Sequence, residues 1–286
     1  MSRIYNTLSD TRFHFYRFRD ILLPQRFLPG VRVQASIGSA LKTTAFKCFV
    51  YGKIGVSMDG IMEAAKEAAQ TMRLGGGIGY DFSTIRPRGD LITTLDSKSS
   101  GVLSFMQIFD SVCKTVASAG QRRGAQMGVL RVDHPDIEEF IEAKTNSDNL
   151  TQFNVSVGIT DEFMRCVARG EDFELRFGDR VYRKVDAGYL FDKIMRATWD
   201  WAEPGVLYID RINEMNNLFY CEDIAATNPC GEQPLPPYGA CLLGSFNLTK
   251  YLIESNGKYT MNWDLLDADI PDVVRAMDNI VDRTIY

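Results

Sequence analysis

Gly128-Val129-Leu130-Arg131-Val132-Asp133, a helical stretch over 135–143, and Phe153-Asn154-Val155-Ser156-Val157-Gly158-Ile159 together decide the fold. The first run is apolar and reads as a strand. In the last, Asn154 and Ser156 alternate against Val155 and Val157, which is the period of a second strand. Pro135 stands at the first turn of the intervening helix, where its missing N–H costs little. Strand, helix and strand at this spacing predict parallel pairing through a crossover.

The pattern repeats outward. Residues 58–74 predict a helix through Ile61, Ala65, Ala68 and Met72, stopped by Gly75. Residues 102–117 predict another, with Phe105, Phe109, Val112 and Val116 on one face. Residues 189–202 predict a third, with Leu190, Ile194, Ala197 and Trp201 inward. Residues 43–51 read as a buried strand carrying Cys48, and 206–210 as a strand after the break at Pro204-Gly205. Residues 173–177 and 181–185 read as a hairpin about Gly178-Asp179. Toward the ends, 15–23 predict a helix, 31–35 a short strand, 245–248 an extended piece and 269–286 a closing helix. Strands alternating with helices through most of the chain predict an α/β fold with parallel strands. No internal repeat, low-complexity linker or evident domain boundary interrupts it.

The 286 residues are 45% hydrophobic and 24% charged, an ordinary globular composition. A net charge of −5 argues against a protein that coats nucleic acid, so nucleotide chemistry here concerns small nucleotides. No apolar run reaches the roughly 18 residues needed to span a bilayer. The N-terminal residues lack the apolar core of a signal peptide, so a cytoplasmic protein is expected, with no membrane partner. Of six cysteines none forms a C-x-x-C pair, and only His14 and His134 could join them; no metal site is expected.

Four loops could carry chemistry. Gly75-Gly76-Gly77-Ile78-Gly79 comes after a helix, so it is not the dinucleotide fingerprint. It either caps that helix or lets backbone approach a ligand with no Cβ in the way. Arg86-Pro87-Arg88-Gly89-Asp90 and Ala119-Gly120-Gln121-Arg122-Arg123-Gly124-Ala125-Gln126 are Arg-bearing glycine loops on either side of one helix, suited to an anion. Asn228-Pro229-Cys230-Gly231-Glu232 places an amide, a thiol and a carboxylate together, with Pro234, Pro236 and Pro237 stiffening the residues just beyond. It is either a buried structural cysteine in a proline-rich turn or a reactive loop.

Asn228-Pro229-Cys230-Gly231-Glu232 with Cys241 downstream, Cys48 far upstream, and the Gly120-Gln121-Arg122-Arg123-Gly124-Ala125 loop together resemble the large catalytic subunit of ribonucleotide reductases. The likeness runs from about Leu28 to the end. GQRRGAQMGVLRVDHPDIEEFIEAK, EPGVLYIDRINEMN and NPCGEQPLPP are most similar to the adenosylcobalamin-dependent class and its phage relatives. The resemblance implies the first half of a ten-stranded α/β barrel, with helices outside and a central loop carrying the radical cysteine. Residues 1–27 are then an N-terminal helical segment and 28–286 a partial barrel domain.

The resemblance also implies function: an oxidoreductase that reduces ribonucleotides to deoxyribonucleotides for DNA precursor synthesis. Cys230 takes the place of the thiyl radical that abstracts the ribose 3′-hydrogen. Glu232 is then the base on the 3′-hydroxyl, and Asn228 positions the sugar. Cys48 and Cys241 supply two electrons and end as a disulfide. Gly77, Lys47 and Gly231 fall at substrate-binding positions. Arg86 and Arg88 fall on the loop that binds a deoxynucleotide effector, and Arg122 on the loop that relays its identity. Val56 stands where an acidic effector ligand is common, with Ser57 or Asp59 available instead. The implied cofactor is adenosylcobalamin; the alternative is none in this chain, with the radical drawn from a metal-containing partner subunit. Implied partners are the ribonucleotide substrate, a thioredoxin-like reductant, the C-terminal half of the subunit, and a second copy in a homodimer packed through the helices near 59–74 and 102–117.

Lys47 departs from the small polar residue often found before the first redox cysteine. The activity domain and the second half-barrel of relatives are expected to lie outside this chain. The competing class is a non-catalytic nucleotide-binding or regulatory fragment. It would keep the Arg and Gly loops and have no need of Cys48, Cys230, Glu232 and Cys241 together.

Overall fold

The computed structural model describes residues 1–92, 96–116, 124–145 and 148–284. The chain forms two compact units, residues 48–240 and residues 1–47 with 241–286.

In the 48–240 unit the main sheet carries parallel strands Cys48–Val50, Gly77–Asp81, Gln126–Arg131, Phe153–Ile159 and Gly205–Tyr208, in that spatial order. Each strand lies beside the next one in the chain. Crossovers that always step one way put their helices on one face, and the sheet curls as a half-barrel. That outer face is the core: Ile78, Tyr80, Phe153, Val155 and Val157 pack against helices Met58–Arg73, Val102–Thr115 and Ala187–Trp201. The opposite face is thinner, with Val50, Met127, Val129 and Leu207 gathered about Ala226 and Leu235. Burial on both faces is why the strand Gln126–Arg131 reads as a nearly continuous apolar run.

Most expected elements are present, several with shifted ends. The 58–74 helix is Met58–Arg73, capped by the Ser57 hydroxyl accepting from Gly60 N. The strand expected at 128–133 is Gln126–Arg131, and the expected hairpin is Asp172–Phe177 with Arg180–Asp186. Residues 206–210 are a strand only to Tyr208; Ile209–Glu214 then turns helical. The helix Asp161–Arg169, begun by Thr160 accepting from Phe163 N and stopped by left-handed Gly170, was not expected.

In the other unit, helices Ser2–Leu8, Arg12–Leu22 and Trp263–Arg283 bury Ile4, Leu8, Phe18, Ile21, Val273 and Ile280 together. Phe27–Pro29 pairs antiparallel with Gly244–Phe246. Asp269 is fully buried; it accepts from Arg26 at 2.6 and 3.0 Å and from the Tyr251 hydroxyl at 2.9 Å. Residues 31–35 are corrected from strand to the helix Val31–Ser36. There the Gly30 carbonyl accepts from Gln34 N, and Val33 and Ser36 are buried while Val31 is exposed. The long strand expected over 43–51 shortens to Cys48–Val50, because Ala45 N and Phe46 N donate to threonine hydroxyls rather than to a neighbouring strand. The closing helix starts at Trp263, capped by Asn262. A second hairpin, Leu252–Ser255 with Lys258–Met261, was also not expected. Among the described residues no helix is long and apolar enough to cross a membrane.

Candidate active site: a thiol-bearing loop over the inner face of the sheet

Ala226–Thr227 and Pro234–Leu235 pair antiparallel and form the stem of a loop. Its tip is a turn in which Gly231 N donates to Asn228 O at 2.9 Å. Asparagine first, proline second and glycine fourth is a favoured turn composition, since proline presets φ and asparagine bonds its own backbone. Gly231 has φ +80°, a region a side chain rarely adopts. The turn leaves Cys230 exposed at the tip while Thr227, Asn228 and Pro229 are buried.

Asn228 organises the tip. Its Nδ2 donates to Glu232 Oε2 at 2.6 Å, and its Oδ1 accepts from Gln233 N at 3.0 Å. Asn228 N donates to Gln233 O at 3.2 Å. Amide and carboxylate are thus held against each other two residues either side of the thiol. At the base, Val50 N donates to Gly239 O and Tyr238 N to Val50 O, both at 2.9 Å, which ties the returning chain to the first sheet strand.

The sheet is cut away beneath the loop. A Cβ on Gly79 would stand 1.8 Å from Thr227 O, and one on Gly77 would stand 2.8 Å from Pro229 Cγ. The ligand that these glycines admit is therefore, first of all, the chain's own loop. Asn154 Nδ2 donates to Pro229 O at 2.6 Å. Sequence reading took Gly79 only as part of its glycine run and gave Asn154 no role beyond strand alternation. Their signal was present, a bare glycine and an exposed amide within otherwise apolar strands.

The structure brings Cys230, Glu232, Asn228, Gly231 and Gly77 into one neighbourhood. Cys48 is buried and pairs in register with Gly77. Cys241 is buried in the other unit, where its carbonyl accepts from Lys47 N at 3.0 Å. The effector candidates lie elsewhere. Arg86 bonds Asp90 Oδ2 at 3.2 Å, and Arg88 donates to Glu139 at 3.0 Å. The backbone of Arg88 is pinned by Asp136, which also accepts from Val102 N at 3.0 Å. Ser57 caps its helix and Asp59 sits exposed in the first turn. Arg122 lies outside the described residues.

At the C-terminal ends of the same strands a cavity of about 670 Å³ is lined by Tyr51, Lys53, Asp81, Arg131, Cys221 and Pro236. Burial raises the Asp81 carboxyl above its usual range, against the N–H of Ser83 and the charges of Arg131 and Lys53.

Half a barrel of parallel strands, with helices on one face and a cysteine loop laid on the other, defines a class of α/β barrel proteins that present a thiol from a central loop. The chain belongs to the ribonucleotide reductase family: residues 47–286 match that family's barrel domain. It is 36% identical over 269 residues to the vitamin B12-dependent ribonucleoside-diphosphate reductase of Thermoplasma acidophilum, covering 93% of this chain and 34% of that one. It is 39% identical over 274 residues to the protein of the same name from Mycobacterium tuberculosis, covering 94% and 39%. A vitamin B12-dependent ribonucleotide reductase of Streptomyces clavuligerus is 32% identical over 284 residues, covering 90% and 29%. The chain spans between 29% and 39% of the length of these curated relatives.

Proposed function

We propose that this chain is the part of a ribonucleotide reductase catalytic subunit that holds the radical thiol, and that it reduces ribonucleotides to deoxyribonucleotides. The observation that carries this reading is the tip itself. An exposed Cys230 sits between Asn228 and Glu232, whose side chains are 2.6 Å apart. A non-catalytic nucleotide-binding fragment has no use for that constellation.

Adenosylcobalamin is the cofactor we assign, since relatives are named for vitamin B12. The residues present fit it. Cys230 is exposed on the face that the helices of the outer core do not cover, so a radical generator can reach its sulfur. When bound, that cofactor supplies the radical equivalent that removes the thiol hydrogen. Cys230 is the residue that must face it.

The remaining steps belong to side chains. The Cys230 sulfur takes the hydrogen from ribose C3′ and later returns it. Glu232 accepts the proton of the 3′-hydroxyl, and Asn228 holds the sugar and keeps the Glu232 carboxylate aimed. The 2′-hydroxyl leaves as water. Two electrons and two protons come from Cys48 and Cys241, whose sulfurs join as a disulfide that a thioredoxin-like protein reopens. Gly77, Lys47 and Gly231 line the substrate side. Arg86, Arg88, Arg122, Ser57 and Asp59 serve the deoxynucleotide effector. A homodimer, completion of the barrel by the rest of the subunit, and a cytoplasmic setting belong to the same reading.

The test is a disulfide map after turnover, with thiols trapped before digestion. A Cys48–Cys241 link that dithiothreitol reverses is the expected result. Turnover that leaves both thiols alkylatable removes them from the reaction.

A further inference from the structure

Gly79, Met127 and Asn154 are cross-strand neighbours on three adjacent strands. They form one row across the sheet, and the loop touches every member of it. Thr227 O lies over Gly79. Gly231 lies over Met127, where a Cβ would sit 3.7 Å from Met127 Cε. Pro229 O accepts from Asn154 Nδ2 at 2.6 Å. The first two contacts are steric. They limit how close the loop comes and have little direction. Only the third is directional, and it is a short hydrogen bond.

It also falls on a sensitive atom. Pro229 has no N–H, so its carbonyl is the one main-chain polar group by which the sheet can hold this residue. That carbonyl belongs to the peptide plane that leads into Cys230. Fixing a planar trans peptide at its oxygen fixes the direction in which the next Cα departs. Asn154 is the one exposed residue of a strand whose other members are all buried. A packing role there would be better met by an apolar side chain.

We propose that Asn154 is a positioning residue for Cys230: its amide holds the Pro229 carbonyl and so sets where the thiol points. The proposal rests on reading Cys230 as the reacting thiol. Positioning has a large lever, because a shift of about 1 Å at a reacting group can cost on the order of 100-fold in rate.

The experiment compares Asn154→Ala and Asn154→Asp with wild type in the assembled reductase, supplied with adenosylcobalamin and a ribonucleotide. Asn154→Asp keeps the shape and removes the donor. Both variants are expected to lose kcat by about 10-fold or more, with KM held within about twofold. Amide hydrogen exchange at Gly231 and Gln233 should quicken about fivefold, the equivalent of one net hydrogen bond. The unfolding midpoint should fall by no more than that one hydrogen bond accounts for. Wild-type kcat in both variants overturns the proposal. So does a fall in kcat that comes with a larger fall in unfolding midpoint, since that marks a purely structural residue. Cys230→Ser is run alongside. If it keeps full activity, the thiol reading itself fails. If it is inactive while both Asn154 variants are normal, only the positioning role fails.

Discussion

Gly79→Ala is the sharpest mechanical test of the loop. The added Cβ would meet Thr227 O at 1.8 Å, and that atom is main chain. To reach an ordinary contact of 3.4 Å the oxygen must retreat by about 1.6 Å. Thr227 is fully buried and paired with Pro234, so it cannot rotate away alone. Either the whole loop lifts off the sheet or the strand bends. Overpacking of this kind costs about 1–3 kcal/mol, and a contact this short belongs at the top of that range. Replacing glycine by alanine returns only about 0.4–1 kcal/mol through the unfolded chain. A net destabilisation of about 2 kcal/mol is therefore expected. A lifted loop also carries Cys230 away by more than 1 Å, which predicts a loss of about 100-fold in turnover. Gly158→Ala is the control. Its Cβ would find nothing closer than 3.6 Å, so urea unfolding should place it within about 0.5 kcal/mol of wild type. If Gly79→Ala is as stable as Gly158→Ala and as active as wild type, the loop does not lie on this strand as described.

Buried polar groups give three further outcomes. Asp269→Ala leaves Arg26, half-buried, without its carboxylate and should cost about 3–5 kcal/mol by urea unfolding; Tyr251→Phe removes one bond to the same carboxylate and should cost about 1 kcal/mol. A loss below 1 kcal/mol in Asp269→Ala would remove the cluster from the stability of its unit. Asp136→Ala orphans Arg88 N and Val102 N and should cost about 3 kcal/mol, read the same way, with no change expected at Cys230. Burial holds the His134 imidazole below its usual value of 6.5, while Nε2–H donates to Ile85 O and Nδ1 accepts from Asp136 N. Its folded-state value is depressed, so the unfolded chain binds the proton more readily. Its contribution is full above 6.5 and is lost as the pH falls below that. An NMR titration of the ring should give a midpoint under 6.5, and a midpoint at or above it contradicts the burial argument.

Elements with a clean period were legible in the sequence. Phe153–Ile159 falls where its alternation put it, and Met58–Arg73 where Ile61, Ala65, Ala68 and Met72 recur. The stiffness of the loop at Cys230 also followed from its prolines and glycine, whereas its exposure did not, since a buried cysteine in a proline-rich turn fits the same residues. Other elements carry local signals of a different kind. Thr160, the acidic pair Asp161 and Glu162, and Gly170 bracket a helix by its caps. Asn256-Gly257, both at positive φ, is a strong hairpin turn. Residues 31–36 misled because Val31, Val33 and Ala35 alternate like a strand, while Gly30 and Gln34 form the start of a helix. What no local pattern could supply was the reason for Gly77 and Gly79. Either a ligand or the chain itself could fill the space over a bare strand. Only the fold brings Thr227 and Pro229, far along the sequence, onto those glycines.

The central claim is that Cys230 is the reacting thiol of a ribonucleotide reductase. The most direct measurement is deoxyribonucleotide formation by the assembled enzyme with adenosylcobalamin, a ribonucleotide and dithiothreitol, for wild type and for Cys230→Ser. Product from wild type and none above background from the serine variant is the predicted result. Equal product from both, or none from wild type, contradicts the claim.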